Sequence, residues 1–125
     1  MCAISGLFNW EGITPSEISK VKHSLSEMEY RGPDFSAIQS DTYSILGHNR
    51  LSILDLNPRS NQPMSSSDGR YSIVFNGEIY NFKEIKALLE HEGIVFHTTS
   101  DTEVLLQGFA NYGDAVLKKL RGMFA

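Results

Sequence analysis

The chain has few of the features that mark several large classes of protein. Its 125 residues contain one cysteine, so no internal disulfide can form, which is typical of a reducing, cytoplasmic setting. No apolar run approaches the roughly 20 residues that a membrane-spanning helix needs. The net charge of −4 comes from charges of both signs scattered along the chain, without a basic block. We therefore expect neither nucleic acid nor a membrane as a partner.

Signatures of bound metals and nucleotides are also missing from the sequence. No spacing among His, Asp, Glu and Cys is typical of a metal site, and no glycine-rich phosphate-binding loop occurs. We therefore expect this domain to need no cofactor. A hydrophobic fraction of 41% and a charged fraction of 21% are those of a globular protein that can build one hydrophobic core, so residues 1–125 are predicted to form a single domain.

Extended and helical patterns alternate along the chain, which predicts an α+β fold. The predicted strands cover residues 3–10, 36–40, 43–48, 71–75 and 94–98, with a buried strand beginning at 123–125. The predicted helices follow Thr14, Asn81 and Ser100, each of which has a glutamate three residues later, as in a capping box. A further helical turn is expected over 114–120, and residues 56–70 favour a long surface loop.

The one cysteine is Cys2, directly after Met1. Removal of Met1 would leave a thiol and a free α-amine on the same residue. An α-amine has an ordinary pKa of about 7.7–8.0, so a useful fraction is neutral near pH 7 and can accept the thiol proton. A nucleophile served by the terminal amine of its own chain is a known catalytic arrangement. The alternative interpretation is that the cysteine lies at this position by accident.

Attack by a thiolate on an amide carbon creates an oxyanion, which needs hydrogen-bond donors fixed in place. Asn76 and Gly77 follow a predicted strand and could supply a side-chain amide and an approachable backbone N–H. Asn-Gly is also the strongest short signal for a hairpin turn, and this alternative stays open.

Two charged residues could hold a small zwitterion. The Arg50 guanidinium is suited to a carboxylate, and Asp101, at the start of a predicted helix, could receive an ammonium group. The alternatives are a surface arginine in a weak ion pair and an acid that favours a helix N-terminus. His48, two residues before Arg50, is expected to be buried.

Six segments in order resemble one known family. They are Met1-Cys-Ala-Ile-Ser-Gly-Leu-Phe8, Arg31-Gly-Pro-Asp34, His48-Asn-Arg-Leu-Ser-Ile53, Asn76-Gly-Glu-Ile-Tyr-Asn81, Ser100-Asp-Thr-Glu103 and Leu120-Arg-Gly-Met-Phe-Ala125. Together they resemble the N-terminal glutaminase domain of glutamine-hydrolysing asparagine synthetases, which are class II glutamine amidotransferases. The resemblance implies the fold of N-terminal-nucleophile hydrolases, a four-layer αββα sandwich with mainly antiparallel sheets.

The resemblance also implies a role for each candidate residue. Cys2 would be the nucleophile, with Asn76 and Gly77 as the oxyanion hole and Arg50 on the α-carboxylate of L-glutamine. The α-ammonium group would be received by Asp101 with Glu78 nearby. The backbone of Leu51, Ser52 and Ile53 would help to line the pocket.

The reaction implied is hydrolysis of the glutamine side-chain amide to glutamate and ammonia. In the family, the ammonia passes to a C-terminal synthetase domain that uses ATP and Mg²⁺ to amidate aspartate, as in asparagine biosynthesis. Some related polysaccharide-pathway proteins would use another acceptor, which stays open.

The sequence departs from the family pattern in extent. The synthetase domain is absent and the last glutaminase strands also look missing after Ala125, so the expectation is an incomplete, truncated domain. Unpaired sheet edges would favour self-association of the isolated chain. The alternative function is an inactive fragment with a structural or interaction role. A retained Met1 would place the α-amine of Cys2 in a peptide bond and remove it as a base.

Overall fold

The computed structural model describes all 125 residues, which form three α-helices and seven strands. The helices are α1 (Pro15–Glu27), α2 (Phe82–His91) and α3 (Asp101–Tyr112). The strands are β1 (Ala3–Phe8), β2 (Phe35–Ser40), β3 (Ser44–Arg50), β4 (Met64–Ser65), β5 (Ser72–Ile73), β6 (Gly77–Ile79) and β7 (Gly122–Phe124). Short 3-10 turns cover Glu29–Arg31, Pro58–Ser60 and Gly113–Lys119. Every strand pair is antiparallel, so the predicted α+β fold with antiparallel sheets is confirmed.

The chain divides into two compact units. The first unit consists of Met1–Ser52, Asn61–Pro63 and Val74–Asn76. The second unit consists of Ile53–Ser60, Met64–Ile73 and Gly77–Ala125. The predicted single domain and four-layer sandwich stay predictions.

The first unit is a three-stranded sheet in the order β1-β3-β2 with α1 packed on it. Thr14 and Glu17 form the predicted capping box, with Pro15 in the first turn of α1. The helix buries Val21 and Leu25 against β3, where a Cβ at Gly47 would lie 2.9 Å from the Leu25 side chain and 3.1 Å from Val21. A glycine at this position therefore lets the helix approach the sheet closely.

The second unit is built around α2 and α3, which pack on one another, and α3 also packs on the 3-10 turn that follows it. The apolar core contains Ile85 and Leu89 of α2, Val104 of α3, and Val116. Ser100 caps α3 by accepting the Glu103 backbone N–H, as predicted. The two small sheets of this unit pair β4 with β5 and β6 with β7.

Three predicted elements differ from the structure. Residues 94–98 form no strand. The strand predicted over 71–75 shortens to β5, which pairs with β4 inside the predicted loop 56–70. The predicted strand at 123–125 exists as β7, but all its residues are exposed rather than buried.

Asn81 lies at the N-terminus of α2, but its side chain does not cap that helix. Its amide donates to the carbonyl of Lys119 at 2.9 Å and accepts the N–H of Arg121 at 2.8 Å. The predicted capping role is wrong because the chain that leads into β7 competes for the same amide.

None of the three helices has the length and the apolar composition that a membrane span requires.

Titration of His48 is expected to make stability depend on pH. Burial, with a smaller contribution from Arg50, lowers the pKa of His48 from 6.5 to about 4, against a raising effect of its bond to the Phe75 carbonyl. Between those values the unfolded chain binds a proton that the folded protein does not, so the free energy of unfolding falls as pH falls. We expect a loss of about 2 kcal/mol between about pH 7 and pH 5, measured by urea denaturation.

The His48→Gln variant is the control, because it keeps an N–H donor but does not titrate in this range. Its free energy of unfolding should change little over the same interval. An equal pH dependence in the two proteins would show that His48 is not the group responsible.

Candidate active site

Cys2 lies immediately before β1, and the pairing of Ala3 with Asn49 places it beside the end of β3. Its sulfur accepts the backbone N–H of Leu51 at 3.4 Å and lies 3.7 Å from the carbonyl oxygen of the same residue. The side chain is half-buried. Two of the predicted site residues, Cys2 and Leu51, are thus in direct contact within the first unit.

The segment Arg31-Gly-Pro-Asp34 holds both partners of this contact. The Arg31 Nε–H donates to the carbonyl of Cys2 at 3.3 Å. The Asp34 backbone N–H donates to the carbonyl of Arg50 at 3.0 Å. The Asp34 side chain accepts the N–H of Ser52 through Oδ2 at 2.7 Å. A Cβ at Gly32 would collide with the Asn49 backbone, so the close approach requires glycine.

Arg31 and Asp34 position the backbone around Cys2 and Leu51, and this role was not predicted from the sequence. There, residues 31–34 served only as a family marker and as the end of a helix. The one available signal was a charged residue on either side of Gly-Pro. Because Ser52 donates its N–H to Asp34, that N–H is already occupied in this structure.

Arg50 is the last residue of β3 and only 5% of its surface is exposed. Its Nη1 donates to Oδ1 of Asn61 at 2.7 Å. This geometry does not fit the alternative of a surface arginine in a weak ion pair. A guanidinium fixed in this way has the forked donor geometry that suits a carboxylate.

Asn76 is half-buried and follows Phe75, whose backbone is held by two side chains. The Phe75 N–H donates to Oε1 of Gln62 at 2.5 Å, and its carbonyl accepts from Nε2 of His48 at 3.2 Å. The hairpin interpretation of Asn76-Gly77 is wrong, since β5 pairs with β4 and β6 pairs with β7.

Gly77 begins β6 and pairs with Phe124 of β7. A Cβ at this residue would collide with the backbone of Met123 and Phe124, so glycine is required for this strand pairing. The approach of β7 thus accounts for the glycine independently of any substrate.

Asp101 is the first residue of α3 and 5% of its surface is exposed. Burial raises the pKa of this carboxyl, against the lowering effect of the Ile79 N–H, which donates to Oδ2 at 3.0 Å. The exposed Glu78 raises the pKa further, so the structure brings these two predicted acids together in the second unit. A cation beside these two acids would offset both the cost of desolvating the Asp101 carboxylate and its repulsion from Glu78.

Glu103 was predicted to complete a capping box, and that role is wrong. Its buried carboxylate accepts the backbone N–H groups of His97 and Thr98, at 2.9 and 2.6 Å, and the Thr98 hydroxyl at 2.6 Å. The loop therefore folds onto the carboxylate instead of forming a strand. This fixes the chain just before Asp101, and Glu103 is a third positioning residue that sequence reasoning missed.

Two further predictions from the sequence concern Ile53 and the absence of a metal site. Ile53 belongs to the second unit, and 67% of its surface is exposed. The structure contains no group of three or more His, Cys, Asp or Glu residues arranged to hold a metal ion. The side chains positioned by the fold are a thiol, a buried guanidinium, a half-buried amide and a pair of acids.

Comparison with known proteins places the chain in a family. A glutamine amidotransferase domain family matches residues 1–125. Glutamine-hydrolysing asparagine synthetase 1 of Bacillus subtilis (strain 168) is 41% identical over 127 residues, which cover 100% of this chain and 20% of that protein. Asparagine synthetase B of Escherichia coli (strain K12) is 38% identical over 126 residues, covering 100% of this chain and 22% of that protein.

A relative with a different name is nearly as similar. Amidase chry2 of Gibberella zeae is 35% identical over 136 residues, which cover 100% of this chain and 20% of that protein. The chain thus spans about a fifth of the length of these relatives. Because the family match extends over every residue, this chain belongs to the glutamine amidotransferase domain family and is homologous to the glutaminase part of glutamine-hydrolysing asparagine synthetases.

Proposed function

We propose that this domain hydrolyses the side-chain amide of L-glutamine with Cys2 as the nucleophile. The observation that supports this best is the placement of the Cys2 sulfur on the backbone of Leu51, next to the buried Arg50. This places a thiol within one residue of a cation suited to the α-carboxylate of an amino acid.

The proposed chemistry begins with removal of Met1, which frees the α-amine of Cys2. The amine takes the thiol proton, and the thiolate attacks the amide carbon to form a tetrahedral oxyanion. The Asn76 side chain and the Gly77 N–H stabilise that charge. Collapse expels ammonia, which takes the proton from the amine, and leaves a γ-glutamyl thioester. Water then hydrolyses the thioester to glutamate and restores the thiol.

The same proposal assigns the rest of the amino acid. Arg50 holds the α-carboxylate, while Asp101 and Glu78 receive the α-ammonium group. The buried Asp101 supports this assignment, because a carboxyl whose pKa is raised by burial and by a neighbouring acid gains stability when a cation arrives. Backbone groups of Leu51, Ser52 and Ile53 line the remainder of the pocket in this proposal.

We further propose that the ammonia is used by a synthetase domain. That domain would bind ATP and Mg²⁺ and amidate aspartate, and the glutaminase domain would need no cofactor of its own. The asparagine synthetases among the relatives support aspartate as the acceptor. One relative is named an amidase and not a synthetase, so a second candidate keeps the glutaminase chemistry without aspartate as the acceptor.

Removal of the thiol should abolish hydrolysis. In the protein at its natural length, Cys2→Ala should release no ammonia from glutamine, and Cys2→Ser should be nearly inactive because a hydroxyl is a far weaker nucleophile near neutral pH. Glutamine binding, measured by calorimetry, should persist in Cys2→Ala because Arg50 and Asp101 hold the substrate. Mass spectrometry should show the loss of Met1 and a covalent adduct on Cys2 with a glutamine-like electrophile.

The matched control for this prediction is Ser19→Ala, which changes an exposed hydroxyl on α1 and should leave ammonia release unchanged. Glutaminase activity in a well-purified Cys2→Ala protein, or full activity in a protein that retains Met1, would contradict the proposed mechanism.

Asn76 and Arg50 should affect different kinetic constants. The Asn76 donor acts when negative charge develops, so Asn76→Ala should lower kcat by about 10²–10³ with a smaller effect on KM. Arg50→Lys keeps the charge but not the forked geometry, so it should raise KM by about 10- to 100-fold. Steady-state ammonia release over a range of glutamine concentrations separates the two effects.

A substrate that lacks the α-carboxylate provides the control for Arg50. Its turnover should be nearly the same in Arg50→Lys as in the unmodified protein. If Asn76→Ala changed KM and left kcat unchanged, the proposed role of Asn76 in the oxyanion hole would be wrong.

A further inference from the structure

The backbone of Phe75 carries an unusual demand for hydrogen-bond partners. Phe75 is 4% exposed and lies between β5 and β6, outside both strands. A buried backbone N–H or carbonyl is costly unless it is hydrogen-bonded, so the partners of Phe75 matter for the position of this segment.

Two buried side chains of the same unit supply those bonds. The side chain of Gln62 accepts the Phe75 N–H at 2.5 Å, and His48 bonds the Phe75 carbonyl at 3.2 Å. Gln62 is 6% exposed and His48 is fully buried. Polar side chains are rarely buried unless they are hydrogen-bonded. Here one side chain accepts from the Phe75 N–H and the other donates to the Phe75 carbonyl.

The bond from His48 also defines its protonation. A carbonyl can only accept, so Nε2 must carry the hydrogen, while Nδ1 has no hydrogen-bond partner. The burial that lowers the pKa of His48 keeps the ring neutral near pH 7. Near pH 7 His48 is therefore a single hydrogen-bond donor, directed at the Phe75 carbonyl.

The residue held in this way directly precedes Asn76. An oxyanion donor acts only if it already points at the place where charge develops, with a tolerance of about 0.5 Å. Asn76 is half-buried, and its Cα is one peptide unit from the groups that His48 and Gln62 hold. A shift of the Phe75 peptide would move the Asn76 side chain with it.

We infer that His48 and Gln62 are positioning residues that set the Asn76 amide for catalysis by holding the backbone of Phe75 at both its N–H and its carbonyl. This inference rests on the proposed role of Asn76. Neither side chain needs to touch glutamine for this role, which distinguishes them from Arg50 and Asp101.

The test uses variants that differ in where they place a donor or acceptor. In His48→Gln the amide nitrogen can occupy the place of Nε2, whereas in His48→Asn the shorter side chain cannot reach the carbonyl. Gln62→Leu keeps the approximate shape and removes the acceptor. Gln39→Leu, an exposed change on β2, is the control for the substitution itself. Each is made in the protein at its natural length, and thermal unfolding checks that it is folded.

Steady-state ammonia release from glutamine then gives kcat and KM. We expect His48→Asn and Gln62→Leu each to lower kcat about tenfold or more with KM changed by less than about threefold, since small misplacements of catalytic groups can cost up to about 10² in rate. His48→Gln should recover most of the kcat, and Gln39→Leu should match the unmodified protein.

The decisive measurement repeats His48→Asn and Gln62→Leu in the Asn76→Ala background. If both residues act through the Asn76 amide, they should lower kcat there by less than about twofold, because the group they position is gone. The same loss of kcat in both backgrounds would overturn the inference. So would a large rise in KM with unchanged kcat.

The outcomes separate this inference from the proposed function on which it rests. A fully active Asn76→Ala protein would overturn the proposed oxyanion hole and the inference together. An impaired Asn76→Ala protein with additive His48 and Gln62 effects would overturn the inference alone. If His48→Asn fails to fold, Gln62→Leu alone decides the question, because it acts on the other end of the same peptide segment.

Discussion

The antiparallel pairing of β1 with β3 is the constraint on which the rest of the first unit depends. It brings Ala3 opposite Asn49, so a residue at the start of the chain is fixed beside residues some 46 positions later. The sulfur of Cys2 then lies on the backbone of Leu51 without any long side chain to carry it there. A flexible N-terminus could not hold a nucleophile in one place, since terminal residues are ordered only when they are tied into a sheet or core.

Three irregular segments of the chain are held by hydrogen bonds from side chains. Asp34 holds the segment after β3, Gln62 and His48 hold Phe75, and Glu103 holds the loop before α3. All of these segments precede or include candidate site residues. Irregular backbone can present its N–H and side-chain groups to a ligand, but only if its other polar groups are satisfied within the protein. The polar residues that meet this demand are therefore part of the site, although they are expected not to touch glutamine.

Much of the local structure could be predicted from the sequence. Thr14 and Pro15 predicted the start of α1, Ser100 predicted the cap of α3, and the extended patterns over 36–40 and 43–48 predicted β2 and β3 close to their observed bounds. These signals succeed because capping and strand alternation involve residues close together in the chain. The predictions failed where a distant group competed: the chain before β7 takes the Asn81 amide, and the Glu103 carboxylate takes the backbone of residues 97 and 98.

By itself, the sequence determined the family, the α+β class and the residue types available for chemistry, because motif order, alternation and a single cysteine are all properties of the linear chain. Only the tertiary structure decided that Arg50 and Asp101 are buried, that Asn76-Gly77 is not a hairpin turn, and that Phe75 needs His48 and Gln62. Burial and hydrogen-bond partners depend on which distant segments meet. For a peptide group outside a strand, the partner is whichever polar side chain the packing of the unit brings within about 3 Å.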